Sequence, residues 1–180
     1  MSLLETILGA GGGAPVEKLG GQFGLKGDQV GSILKQLVPA LNAGVKRNTK
    51  SPDGLASLLG ALANKDHDRY LDDPDLLEKD DTVKEGNGIL GHLLGSKDVS
   101  RQLAGRASSE TGVDAGIIKK MLPLVATMVM GSMRKETRQL GATVEEARQK
   151  GSGNPLASFL DADGDGSIVD DLFGMAKKFF

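Results

Sequence analysis

Ile117-Ile-Lys-Lys-Met121-Leu-Pro-Leu-Val125-Ala-Thr-Met-Val-Met130 decides the fold class of this chain. Its apolar side chains recur at three- and four-residue steps, the spacing that aligns one face of an α-helix, and past Lys120 they leave no wide polar face. A helix that is apolar on most sides has to be enclosed by other elements. The run is much shorter than the roughly 20 residues needed to cross a bilayer, so it is expected in a protein core and not in a membrane. The same spacing governs Ile33, Leu34, Leu37 and Leu41, and strand-type alternation is scarce throughout. The chain reads as all-α.

Working outward, apolar periodicity and turn residues predict helices over about 2–9, 14–23, 27–48, 53–63, 67–72, 81–95, 98–110, 113–139, 143–149, 154–160 and 168–180. Val16 to Val45 aligns without gaps on Ser100 to Val129 at a separation of 84, with identical residues at Leu19/Leu103, Gly21/Gly105, Ile33/Ile117, Lys35/Lys119, Pro39/Pro123 and Val45/Val129. That alignment predicts duplicated helix-turn-helix units, each with a proline bending its longer helix. Leu55-Ala-Ser-Leu-Leu-Gly60, Gly91-flanked Leu90 to Gly95, and Leu156-Ala-Ser-Phe-Leu160 form a shorter recurring pattern of apolar helix, closed in the first two cases by glycine. Between Asn64 and Glu85 the chain is acid-rich with few apolar anchors, which reads as a solvated connection. Gly151-Ser-Gly-Asn-Pro155 reads as a linker, giving a helical repeat domain over 1–150 and a C-terminal helical hairpin over 151–180 packed on it.

Composition narrows the function classes. The 22 basic and 24 acidic residues nearly cancel, so no global field draws the chain toward nucleic acid or an anionic membrane. Cysteine is absent, which removes disulfides, thiolate nucleophiles and thiolate metal sites. The N-terminus lacks the basic flank and apolar core of a secretory signal, and cytoplasmic residence is the expectation.

The Met1-Ser-Leu-Leu opening, Gly88-Ile-Leu-Gly-His-Leu-Leu-Gly95, the Ile117 to Pro123 segment and the terminal Asp163-Gly-Asp-Gly-Ser-Ile-Val-Asp-Asp-Leu172 together resemble the YidB-like bacterial family, domain of unknown function 937. The resemblance implies an all-α bacterial protein without an assigned enzymatic activity, and it transfers no catalytic residue.

The sharpest candidate site is the acidic stretch. Asp161, Asp163 and Asp165 alternate as in an EF-hand loop, Gly166 permits the tight turn, Ser167 can offer its carbonyl, and Asp170 can close a shortened ring of oxygen ligands. Leu172 stands where the bidentate glutamate of a twelve-residue loop would be, so calcium affinity is expected near ~10⁻⁴ M, with magnesium as the alternative ion and Asp171 as a fallback ligand. A turn in which Asp165 or Ser167 caps the last helix is the competing explanation. His67 and His92 are the sole imidazoles and lack metal-ligand spacing; His67 reads as a solvated polar residue and His92 as a helix-face histidine. Gly9-Ala-Gly-Gly-Gly13 follows a helix and lacks the Gly-Lys-Ser/Thr ending of a phosphate loop, so it reads as a C-cap and joint. Lys46-Arg-Asn-Thr-Lys50 and Arg134-Lys-Glu-Thr-Arg138 end the two long helices, where basic charge suits the helix dipole but also keeps a nucleic-acid alternative open. The expectation is a non-enzymatic binding or structural module with a calcium-type loop and a protein partner or a second copy. The alternatives are a nucleic-acid-associated protein using those basic ends, and an enzyme whose site forms only in three dimensions.

Overall fold

In the computed structural model residues 3–54, 57, 58, 61 and 66–150 are described, with side chains through 136 and at 138. The chain divides into two compact units, Met1–Met133 and Arg134–Phe180. Every regular element among the described residues is helical. In chain order these are α1 (Leu3–Gly9), a 3-10 turn over Ala10–Gly13, α2 (Ala14–Phe23), α3 (Gly27–Thr49), α4 (Arg69–Asp72), a second 3-10 segment over Pro74–Glu78, α5 (Asp80–Leu94), α6 (Lys97–Thr111) and α7 (Ala115–Lys150). Helical residues also occur at 52–54, 57, 58 and 61.

Local chemistry explains the ends. Gly24 and Gly112 close α2 and α6 in the left-handed region, at φ 67° and 72°, where a β-carbon would be strained. Ser96 caps α6 by accepting from the Val99 amide at 3.3 Å. Asp114 caps α7 more fully, its Oδ1 accepting from the amides of Gly116 at 2.8 Å and Ile117 at 3.2 Å. The separate helix expected near 143–149 does not form, because α7 continues through Gly141 without interruption.

The core of the first unit forms around α7, in which every residue from Met121 to Met133 is buried. Ala115–Glu136 is long and apolar enough to cross a membrane, and 78% of its most apolar window is buried inside the protein. That burial is what a central core helix requires. Around it stand Ile33, Leu34, Leu37 and Leu41 from α3, Leu90, Leu93 and Leu94 from α5, and Ile7 and Leu19 from α1 and α2. Each such side chain contributes about 1.5–3 kcal/mol when removed from water. The closest backbone approaches are made at glycines. A β-carbon on Gly44 of α3 would lie 2.5 Å from the Leu93 carbonyl oxygen of α5, and one on Gly86 of α5 would strike the Pro123 carbonyl of α7. Helix α5 is therefore pressed between α3 and α7 at two glycine contacts.

Two expectations need correction. The stretch from Asp66 to Glu85 is not simply solvated: His67, Asp68, Tyr70, Leu71, Leu77 and Thr82 are buried. A few bulky side chains, together with hydrogen bonds such as Thr82 Oγ1 to the Leu76 carbonyl, hold this acid-rich segment against the helices. The repeat register of 84 does not bring the two turns together. Gly24 and Gly112 cap their helices alike, the Val30 amide bonds the Lys26 carbonyl as the Ile118 amide bonds that of Asp114, and both correspondences give a separation of 88. Pro39 lies 12 residues after Gly27, whereas Pro123 lies 8 after Ala115, so the two prolines are not equivalent.

Candidate functional site

Two constellations stand out in the first unit, one polar and partly buried, the other apolar and open. The polar one joins α4 to α5. Helix α4 is too short to persist alone, and its docking depends on Tyr70 and Leu71, both 1% exposed. The Tyr70 hydroxyl donates to Glu85 Oε2 at 2.6 Å, and Arg69 Nη2 reaches the same hydroxyl at 2.7 Å and Glu85 Oε2 at 3.3 Å. Glu85 Oε1 lies 3.1 Å from His67 Nδ1. The Arg69 guanidinium also sits 4.9 Å from the centre of the Tyr70 ring. One carboxylate thus gathers a phenol, a guanidinium and an imidazole. Burial raises the Tyr70 phenol above its ordinary pKa, and its bond to Glu85 adds to that because ionisation would set two anions together. The bond from Arg69 opposes the rise without cancelling it.

His67 is therefore not the solvated residue the sequence suggests. It is 1% exposed, and α7 passes so close that a β-carbon on Gly131 would meet the His67 carbonyl oxygen at 2.5 Å. An imidazole beside a carboxylate and a phenol has the ingredients of acid-base chemistry, but a substrate needs access to the proton being moved. Enclosure favours a locking role, in which charge-assisted hydrogen bonds pin the connecting segment to α5.

The open constellation is a cleft of about 250 Å³ between the end of α3, α5, α7 and the helical residues following α3. Val45, Leu93 and Met130 are buried within it, while Asp53, Ser57 and His92 are exposed. Asn48 ties two of its walls together, its amide donating to the His92 carbonyl at 2.6 Å and the Gly44 carbonyl at 3.1 Å. Arg47 donates to the Leu93 carbonyl at 3.2 Å, so part of the first basic cluster secures the C-terminal turn of α5. The imidazole of His92 stands at the cleft, a placement its flanking leucines and glycines did not reveal.

The remaining candidates fall apart from these two. Gly9 to Gly13 forms the joint between α1 and α2, with positive φ at Gly11, Gly12 and Gly13. Asp161, Asp163, Asp165, Ser167 and Asp170 lie outside the described residues, as do the helices expected at 154–160 and 168–180. Among the described residues no cluster of three or more histidine, aspartate or glutamate side chains is arranged to hold a metal ion.

The profile of a family described as bacterial protein of unknown function, DUF937, matches residues 5–136. The chain belongs to that family. The DUF937 segment runs from within α1 to the buried part of α7, and contains both the Glu85 network and the cleft. The match ends before the acidic stretch that begins at Asp161. No curated protein and no solved structure matches the chain.

Proposed function

We propose that this DUF937 chain is a non-enzymatic helical binding module whose binding face is the cleft, with Asp161, Asp163, Asp165, Ser167 and Asp170 as a separate calcium-type loop that can also take magnesium. The observation that supports the binding reading is the cleft itself. Its volume of about 250 Å³ exceeds that of an engineered apolar cavity of about 150 Å³ that stays dry and takes up benzene. Its buried apolar floor and exposed polar mouth suit a ligand with an apolar body. The His67 and Tyr70 side chains beside Glu85 are buried and do not line the cleft, which weighs against the enzyme alternative, and the engagement of Arg47 with α5 weighs against a basic nucleic-acid platform.

Nile red, a neutral hydrophobic dye, tests the binding reading. Its fluorescence should rise with the parent protein and be lost in Ala61→Phe, which fills the cleft, at an unchanged thermal midpoint. Equal dye binding by parent and variant would reject the cleft as the site. For the loop, calorimetric titration of the metal-free protein should give calcium heats that disappear in Asp163→Ala, and silence up to millimolar calcium and magnesium would remove it.

We also propose that α2–α3 and α6–α7 descend from one duplicated unit in the register of 88. Supporting it, Val30/Ile118, Ile33/Met121, Leu34/Leu122, Leu37/Val125, Val38/Ala126, Leu41/Val129 and Val45/Met133 are buried pair by pair. Leu3, Leu4, Ile7, Leu8 and Gly9 of α1 resemble Ile89, Leu90, Leu93, Leu94 and Gly95 in and after α5 at a separation of 86, so extending the unit to α1 requires two more residues between Gly95 and Gly112 than between Gly9 and Gly24. Across other members of the family, similarity between the two segments should be greater at 88 than at 84; the reverse would defeat the proposal.

A further inference from the structure

The cleft has an asymmetry that bears on what enters it. Its depth is set by Val45, Leu93 and Met130, all buried and all without charge. Its exposed edge carries Asp53, Ser57 and His92. Among the described lining residues, Asp53 is the one carboxylate, and none is a lysine or arginine. A ligand that places an apolar body on the floor must leave its polar end beside that carboxylate. An anionic end would meet like charge at short range, whereas an ammonium would meet an acceptor of opposite charge, with the Ser57 hydroxyl as a further hydrogen-bond acceptor.

Resting on the cleft as the binding face, we infer that its ligand class is the single-chain aliphatic amine, with the chain on the Leu93–Met130 floor and the ammonium at Asp53. Size sets the chain length. The 250 Å³ corresponds to about eight volumes the size of a liquid water molecule, and a methylene group is of similar bulk. A linear chain of about eight carbons fills that space. Each methylene withdrawn from water strengthens binding by about fourfold, until the floor is filled.

The test uses the full chain at pH 8 with selectively labelled methionine methyl groups, following Met130 during titration with n-octylamine, n-octanol and sodium octanoate. The expected result is a saturable shift of the Met130 methyl with octylamine, weaker binding of octanol and still weaker binding of octanoate. n-Hexylamine should bind about fifteenfold more weakly than octylamine, from the loss of two methylenes. Asp53 is exposed, so Asp53→Asn should fold normally, abolish the preference of amine over alcohol and retain octanol binding; Asp53→Lys should place octanoate first. Octanoate binding as tightly as octylamine, or a preference unaffected at position 53, would overturn the amine assignment while leaving the cleft as a binding face. A Met130 methyl indifferent to all three compounds would overturn the cleft reading itself. A shift of that methyl on raising protein concentration alone would assign the face to a second copy of the chain and also reject the amine.

Discussion

Gly86 of α5 faces the carbonyl of Pro123 in α7 at a separation that leaves no room for a β-carbon. The obstacle is backbone on a buried helix, not the end of a flexible side chain, so the helices themselves must part to admit a methyl group. Gly86→Ala should therefore destabilise the protein by about 3 kcal/mol, in the range of overpacked cores. Two residues on, Gly88 is exposed with no neighbour within 4 Å of an added β-carbon. There alanine should gain up to about 1 kcal/mol from helix propensity. Urea melts of the two variants read the contrast, and effects of equal size would dismiss the helix contact as the reason for Gly86.

Asp114 and Lys26 precede α7 and α3 at equivalent turns, yet only the aspartate supplies its side chain as an acceptor to its own helix's first amides. Lys26 already has the extended backbone of an N-cap residue, at φ −77° and ψ 156°, and its amide donates to Gln29 Oε1 at 3.0 Å. Lys26→Asp should raise stability by about 1 kcal/mol, and Asp114→Ala should lower it by a similar amount. Thermal melts with no gain for Lys26→Asp would show that the two turns differ in a way their backbones conceal.

Glu85 is the acceptor on which the α4–α5 connection converges. Glu85→Ala leaves the buried Tyr70 hydroxyl without this acceptor and should cost about 2–3 kcal/mol, whereas Tyr70→Phe removes donor and penalty together and should cost about 1 kcal/mol. The double variant should be less damaged than the sum of the two, which a double-mutant cycle measures directly. Strict additivity would mean the pair does not act as a unit.

Lys18 joins α2 to the Pro74–Glu78 segment, with Nζ 2.8 Å from Asp75 and 3.1 Å from Glu78. The hydrogen bond from Lys18 holds the Asp75 carboxyl below its ordinary pKa, and those bonds hold the ammonium of Lys18 above its own. A depressed carboxylate stabilises the fold above its unfolded pKa and loses that contribution as pH falls through the folded one. A raised ammonium stabilises below its unfolded pKa and loses that contribution as pH rises through the folded value. The parent should therefore exceed Lys18→Ala in stability between about pH 4 and pH 10, and the gap should close at both ends. Both partners meet solvent, so about 1 M salt, where the screening length is roughly 3 Å, should also close it. A gap independent of pH and salt would trace instead to packing of the lysine stem.

The sequence disclosed most of the helical architecture because Ile33 to Leu41 and Ile117 to Met130 carry their apolar residues at helical spacing, and because glycines mark the ends of α2 and α6. Apolar spacing leaves the register between α2–α3 and α6–α7 open for a related reason. Registers of 84 and 88 differ by four residues, close to one helical turn, so a slip of that size lays an apolar face almost back upon itself. The prolines match at 84, whereas the glycine caps match at 88. The burial of His67 and Tyr70 was hidden because carboxylates dominate the 66–85 stretch, and nothing local indicates that one of them, Glu85, becomes the acceptor for Tyr70 and Arg69 and the neighbour of His67. The cleft was equally unreadable, since Val45, Leu93 and Met130 meet only through packing of separate helices.

Tyr70 has a consequence outside stability. The chain has one tyrosine and no tryptophan, so its intrinsic ultraviolet emission arises at that single ring. A phenol whose proton is shared with a carboxylate loses its excited state quickly, and the native protein should be nearly dark. Detachment of the short helix from Glu85 would switch the emission on while the long helices still hold their circular dichroism. The molecule thus contains a built-in optical gauge of one joint, able to register a partial opening that signals averaged over all the helices would overlook.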